Sequence, residues 1–292
     1  MHNAAFGALG LNWRYLAFEV EPRNLRAAIE GARAMQFAGL NLTVPHKLLA
    51  LEMVDMLDES AKTWGAVNTI RFEGRGARGG WLPLRVFGVP AAGGKSKSAR
   101  PTEGGTPIEI RAVGFNTDAD AIVAALREDL KIELRGAKVL LLGAGGAGRT
   151  AALKLASEKV SELFLVNRTI SKVLGVQSEI VKGFPSVYVG QGYPRTEVDF
   201  VINATSLGLQ AGDPLPWDGK QFSLKQTRAV YDMIYRPAET KLLAAARKAG
   251  CKTANGLGML LYQGAKAFEI WTAQPPPLHV MRRALEQNVY VG

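Results

Sequence analysis

The hexapeptide Gly143-Ala144-Gly145-Gly146-Ala147-Gly148 follows the apolar run Lys138–Leu142 directly and opens a stretch of helical period, Ala147–Glu158. On its own the spacing G-x-G-x-x-G is a common glycine-rich turn. Between a strand and a helix it is the phosphate-binding corner of a doubly wound α/β sheet. The first glycine permits a tight turn, the second lets backbone approach a pyrophosphate, and the third allows the helix to pack closely on the strand. The helix N-terminus adds partial positive charge. The pattern therefore predicts a parallel sheet that binds a dinucleotide.

The flanking periodicity agrees. Helical spacing marks Asp118–Leu130, Ser171–Val181, Thr240–Ala249 and Leu260–Trp271, with a last helix opened by proline at Pro277–Gln287. Strands are expected at Glu162–Asn167, Phe200–Ala204 and Ala229–Asp232. The N-terminal part alternates as well: strand Tyr15–Val20, helix Asn24–Met35, apolar run Gly39–Val44, helix Leu48–Leu57 and strand Ala66–Phe72. At 292 residues the chain has the length of two domains.

Which dinucleotide binds is decided about 20 residues beyond the glycines, where an NAD site places a carboxylate on the ribose hydroxyls. Here stand Asn167, Arg168 and Thr169, followed by Lys172. Arg168 can pair with a 2′-phosphate and stack on adenine, and Thr169 can donate to the same phosphate. The chemistry favours NADP over NAD.

Composition closes off other classes. The single cysteine, Cys251, excludes an internal disulfide framework and reads as a small buried apolar residue. His2, His46 and His279 lack ligand spacing with any other metal-binding residue, so no metal is expected. No run of 18 apolar residues occurs, and Met1–Phe6 lacks the character of a signal peptide, so a cytoplasmic protein off the membrane is expected. The formal net charge of +10 suggests a polyanionic partner at first sight. Its location argues otherwise, because the low-complexity segment Gly74–Ala112 holds seven basic against two acidic residues, half of the excess. That composition reads as an inserted loop or a disordered stretch, with Trp81–Val89 a weak strand, and no nucleic-acid-binding pattern accompanies it.

Two further motifs carry chemistry. Asn41-Leu42-Thr43-Val44-Pro45-His46-Lys47 leaves a strand, turns at proline and sets a lysine at a helix start, where anions are the usual residents. Gly114-Phe115-Asn116-Thr117-Asp118 sets a carboxylate at another helix start. With Gly65-Ala66-Val67-Asn68-Thr69, Asn203–Ser206, Tyr231–Tyr235 and Asn255–Met259, in this order around the glycine loop, the chain resembles the shikimate dehydrogenase family over nearly its whole length apart from Gly74–Ala112.

The resemblance implies an α/β fold of two domains. Residues 1–117 form an α/β substrate domain with the insertion at about 74–112, residues 118–255 a Rossmann-type doubly wound parallel-sheet NADP domain, and residues 256–292 helices returning to the substrate domain. It implies NADPH-dependent reduction of 3-dehydroshikimate to shikimate, with Lys47 as catalytic residue and Asp118 as its partner carboxylate. Thr43, Lys47, Asn68, Asp118, Tyr235 and Gln263 match substrate-binding positions. Gly143, Ala144, Gly145, Gly146, Ala147, Asn167, Arg168, Thr169, Lys172, Met233 and Gly256 match cofactor-binding ones. The expected partner is a small-molecule substrate, with a homodimer left open.

The chain departs from the family pattern at its start. Members carry a strand and a Ser-x-Ser loop that binds the substrate carboxylate just before the equivalent of Met1-His2-Asn3, and this sequence begins at that point. Each missing hydrogen bond is worth about 1 kcal/mol. The alternatives are thus a truncated, catalytically impaired NADP-binding paralogue, or a quinate/shikimate dehydrogenase. The latter generally carries an acidic residue near Asn167–Thr169, absent here.

Overall fold

The computed structural model describes residues 1–76, 80–84 and 109–291. Most of the expected insertion, including the greater part of Trp81–Val89, lies outside the described residues. The chain divides into two compact units, Met1–Thr117 with Gly264–Ala284, and Asp118–Gln263 with Leu285–Gly292.

The first unit contains α1 (His2–Ala8), α2 (Leu25–Ala34), β1 (Gly39–Asn41), α3 (His46–Leu49), β2 (Met56–Leu57), α4 (Glu59–Trp64), β3 (Thr69–Arg75), β4 (Trp81–Pro83) and β5 (Ile110–Phe115). The sheet runs β1-β3-β5-β2, with β4 also on β3. β3 is antiparallel to β1, β4 and β5, and β2 is parallel to β5. Leu25, Ile29 and Ala32 recur on one face of α2 and pack with Val67, Ile70, Phe72 and Ala112 in the core. Such a stripe supplies most of a short helix's stability. Trp271 ties the returning chain to the sheet by donating from Nε1 to the Ile70 carbonyl at 2.9 Å. Gly39 is needed beside it, because a Cβ there would lie 2.1 Å from that nitrogen.

Two expectations fail in this unit. Tyr15–Val20 forms no strand, and Leu16 and Phe18 are 66% and 64% exposed. The backbone of Tyr15 pairs instead with a side chain, its N–H donating to Asn3 Oδ1 at 2.7 Å and its carbonyl accepting from Asn3 Nδ2 at 3.0 Å. Leu48–Leu57 is not one helix. α3 ends at Leu49, a 3₁₀ turn covers Ala50–Glu52, and the chain joins the sheet as β2. The Asp55 N–H, which a helix would use internally, donates to the Ala112 carbonyl at 3.0 Å, and Asp55 Oδ2 accepts from the Ala112 N–H at 2.6 Å. Sheet pairing overrides helical period here.

The second unit contains α5 (Asp118–Leu130), β6 (Lys138–Leu142), α6 (Gly146–Ser157), β7 (Glu162–Val166), α7 (Ile170–Gly183), β8 (Tyr188–Gln191), β9 (Val198–Asn203), β10 (Thr227–Asp232), α8 (Lys241–Lys248), β11 (Lys252–Asn255) and the start of α9 (Leu257–Thr272). α9 passes into the first unit after Gln263, and α10 (Leu278–Glu286) follows there as far as Ala284. The six strands are all parallel, ordered β11-β10-β9-β6-β7-β8. Val139 to Leu142 and Phe200 to Ile202 are buried throughout, as a sheet covered on both faces requires. The order reverses at β6, so the glycine loop leaves the sheet at the switch point where such folds bind ligands.

His2 lies inside the first unit at 4% exposure, its ring stacked 4.4 Å from Tyr15. Burial, and after it the Met1 ammonium, lowers its imidazole to about 4. The folded form therefore binds fewer protons than the unfolded one between that value and the ordinary 6.5. Its contribution is complete above pH 6.5 and lost as pH falls through about 4. Urea unfolding from pH 7 to 4 is expected to show His2→Phe losing less stability than the parent, by about 3 kcal/mol. Parallel pH profiles would contradict this.

Candidate functional site

In the first unit the site grows from the end of β1. The chain turns through Thr43–Pro45 with a cis Val44–Pro45 bond, and the His46 N–H donates to the Thr43 carbonyl at 2.8 Å. This starts α3 and leaves Lys47 half-buried in its first turn, with Thr43 exposed before it. The Lys47 carbonyl accepts from the Val67 N–H at 2.9 Å, immediately before Asn68.

Asn68 is the junction. It is 2% exposed, its N–H donates to the Phe115 carbonyl at 3.0 Å, and its carbonyl accepts from the Leu42 N–H at 2.8 Å. Its Oδ1 accepts from the Thr117 N–H at 2.8 Å, and Nδ2 donates to Thr117 Oγ1 at 2.9 Å. Asn116 Nδ2 donates in turn to the Ala66 carbonyl at 3.2 Å. Motifs scattered between residues 41 and 117 are thus joined by buried hydrogen bonds, the arrangement that interior amides require. Asp118 follows Thr117 as the half-buried first residue of α5.

The second unit holds the glycine loop. Gly143 has φ +104°, and a Cβ on it would lie 2.9 Å from the Ala204 backbone. A Cβ on Gly148 would lie 2.0 Å from the Gly143 carbonyl oxygen. Both are demanded by the chain's own packing. Gly145 and Gly146 differ, since a Cβ on either meets nothing within 4 Å. Their missing side chains leave open space above the N-terminus of α6, where backbone N–H groups suit a pyrophosphate. Asn167 Oδ1 accepts from the Ala144 N–H at 3.1 Å, and Asn167 Nδ2 donates to the Thr169 carbonyl at 2.9 Å. This bridge couples the loop to exposed Arg168, Thr169 and Lys172, two cations and a hydroxyl that suit a 2′-phosphate. Ala147 is exposed on the first turn of α6. The residues present fit NADP.

A buried network supports the remaining positions expected to contact the cofactor. Asp232 is 0% exposed, and burial pushes its carboxyl above the usual range. It accepts from Thr240 Oγ1 at 2.6 Å, Asn203 Nδ2 at 2.9 Å and the Ile234 N–H at 3.1 Å. Asn203 Oδ1 accepts from the Thr205 N–H at 3.0 Å and Oγ1 at 2.7 Å, fixing the chain after Ala204, which packs on Gly143. Met233 follows Asp232, and its carbonyl oxygen would lie 2.0 Å from a Cβ on Gly256. Tyr235 is 37% exposed, and Gln263 on α9 donates from Nε2 to the Leu260 carbonyl at 3.0 Å.

Thr43, Lys47 and Asn68 therefore belong to the first unit. Asp118, Tyr235, Gln263 and all the expected cofactor positions belong to the second. Sequence reasoning assigned no role to Asn203, Asp232 or Thr240. The available signal was a polar residue closing each of two apolar strands, Phe200-Val201-Ile202-Asn203 and Ala229-Val230-Tyr231-Asp232.

Residues 1–70 match the model of the shikimate dehydrogenase substrate binding domain, residues 125–207 that of shikimate / quinate 5-dehydrogenase, and residues 256–286 that of the shikimate 5′-dehydrogenase C-terminal domain. The chain is 36% identical to the shikimate dehydrogenase (NADP(+)) of Methanopyrus kandleri over 99% of its own length and 90% of that protein. A crystal structure of shikimate dehydrogenase in complex with NADP+ superposes with a TM-score of 0.77 at 32% identity, covering 99% of this chain and 89% of the other. The shikimate 5-dehydrogenase of Thermus thermophilus, in complex with NADP(H) and shikimate, gives 0.75 at 30% identity, covering 98% and 92%.

The open space over Gly146 separates a ligand's demands from those of the fold. Gly146→Ala is expected to leave the melting temperature unchanged within about 1 °C and to raise the Kd for NADPH about tenfold or more, read by fluorescence titration. Unchanged affinity would place the pyrophosphate elsewhere.

Proposed function

Since the chain belongs to the shikimate dehydrogenase family, we propose that Lys47 and Asp118 are the residues with which it carries out the reversible NADPH-dependent reduction of 3-dehydroshikimate to shikimate. It is an NADP-dependent oxidoreductase of aromatic amino acid and chorismate biosynthesis. The observation that carries the residue assignment is the bond from the Val67 N–H, next to Asn68, to the Lys47 carbonyl, with Asn68 clasping the residue before Asp118.

NADPH supplies the hydride that the C3 carbonyl of the substrate receives. Negative charge then develops on the carbonyl oxygen, and the Lys47 ammonium stabilises it and donates the proton that makes the hydroxyl. In the oxidative direction a neutral Lys47 takes that proton back. Asp118 orients the lysine and accepts a hydrogen bond from a neighbouring substrate hydroxyl. Thr43, Asn68, Tyr235 and Gln263 hold the remaining hydroxyls and the ring, which fixes the carbonyl relative to the proton donor. Gly143 to Ala147 cradle the pyrophosphate. Asn167, Arg168, Thr169 and Lys172 hold the adenosine end, while Met233 and Gly256 line the nicotinamide end.

In this reading residues 1–117 form the substrate domain, to which the helices of residues 256–292 return, and residues 118–255 form the cofactor domain, while Asp118 and Tyr235 act on the substrate and Gly256 on the cofactor. A cytoplasmic location and a homodimer go with it. Among the described residues no helix is long and apolar enough to cross a membrane. Light scattering would test the dimer.

Lys47→Met is expected to lower kcat for shikimate oxidation by about a hundredfold or more while the Kd for NADPH stays within about twofold. Wild-type turnover would remove Lys47 from the chemistry. Arg168→Ala is expected to raise the KM for NADP by about tenfold or more, leave the KM for shikimate unchanged and narrow the preference for NADP over NAD. An equal loss with NAD would show that Arg168 does not contact the 2′-phosphate.

A further inference from the structure

Outside the assigned residues, the first unit contains a chain of hydrogen bonds whose direction is fixed by its own chemistry. Tyr15 Oη lies 3.1 Å from Asn41 Oδ1. Asn41 Nδ2 lies 3.3 Å from the Asn68 carbonyl oxygen and 3.0 Å from Thr69 Oγ1. Thr69 Oγ1 lies 3.2 Å from Asn68 Oδ1. A backbone carbonyl only accepts, so the Asn41 atom facing it is the nitrogen, and the opposite end is an oxygen that must receive the Tyr15 proton. Asn41 Nδ2 then donates to Thr69 Oγ1, which leaves the threonine proton for Asn68. At the far end the Thr117 N–H can only donate, so the Asn68 atom 2.8 Å away is Oδ1. Every link runs the same way, from Tyr15 through Asn41 and Thr69 into the Asn68 oxygen.

Tyr15 is held for this task from two sides. The Asn3 side chain grips its N–H and carbonyl together. Its ring stacks 4.4 Å from the His2 ring and lies 6.1 Å from Trp271. Burial raises its phenol above the ordinary range, so it remains a proton donor throughout the neutral region.

We propose that Tyr15 is a positioning residue for the substrate: through Asn41 and Thr69 it supports, from the side opposite Thr117, the donor that Asn68 Oδ1 receives, and so steadies the carboxamide that meets a substrate hydroxyl. The proposal rests on the assignment of Asn68 to substrate binding. Tyr15 touches no reacting atom, and its effect reaches the substrate only through Asn68. Without the phenol proton, Asn41 Oδ1 loses its donor, and the carboxamide is held from its nitrogen end alone, by the Asn68 carbonyl and Thr69 Oγ1. The Asn41 donor to Thr69 is then held less firmly, and with it the Thr69 hydroxyl that donates to Asn68 Oδ1.

The experiment is a double-mutant cycle of Tyr15→Phe and Asn68→Ala in the full chain, with steady-state kinetics for shikimate and for NADP and a thermal melt of each variant. Tyr15→Phe retains the ring and its stacking. It is expected to raise the KM for shikimate about three- to tenfold, with kcat and the KM for NADP within twofold of the parent. In the Asn68→Ala background the same change is expected to have no further effect on KM, since nothing remains to be oriented. Asn41→Asp, which keeps the acceptor for Tyr15 and loses the donor to Thr69, is expected to reproduce the KM effect if a melt shows it folded. An unchanged KM in Tyr15→Phe, or an equal rise in both backgrounds, overturns the proposal while the substrate role of Asn68 stands. An unchanged KM in Asn68→Ala alone overturns that role and the proposal with it.

Discussion

The Thr117 N–H donates to the Asn68 side chain at 2.8 Å across the β3–β5 pairing, and the first unit's candidate site is built around that bond. β3 begins at Thr69 and β5 ends at Phe115, so the clasp closes the sheet where both strands leave it. The Asn68 backbone spans the same gap, donating to the Phe115 carbonyl and accepting from the Leu42 N–H. An amide 2% exposed must satisfy its polar atoms within the protein. That demand fixes Leu42 before the Lys47 turn and Thr117 before Asp118. Replacing Asn68 with an apolar residue would leave the Thr117 N–H buried without this acceptor.

The second unit solves a similar problem with a carboxylate. Asp232 takes three donors inside a parallel sheet and keeps β9, β10 and the chain before α8 in one arrangement. The steric limits at Gly143 and Gly256 then place the glycine loop on Ala204 and the α9 entrance on Met233. Each unit therefore sets its functional loops by buried polar groups at strand ends, while the apolar strands supply stability. The loops inherit their precision from rigid elements.

Much of this was legible because the signals were local. Lys138–Leu142 and Asp118–Leu130 carry enough period to be bounded from sequence at both ends. The glycine loop and Asn167–Thr169 state their chemistry in consecutive residues. What could not be read depends on pairing across long separations. β8 and β11 are short, and they become strands by hydrogen bonding to β7 and β10. Met56 and Leu57 sit in a stretch of helical period and are drawn into β2 by β5. Tyr15 sits in a stretch rich in strand-forming residues, yet its backbone groups are taken by Asn3. Asn41 was visible as part of a motif, but its partners Tyr15 and Thr69 are brought to it only by the fold.

The central claim is that Lys47 and Asn68 meet one substrate, and a crystal structure of the chain with NADP+ and shikimate tests it most directly. The account predicts shikimate hydroxyls within hydrogen-bonding distance of Lys47 Nζ and the Asn68 carboxamide. Asn68 Oδ1 should still accept from the Thr117 N–H. Shikimate bound away from both side chains, or an Asn68 amide turned away from Thr117, would contradict it.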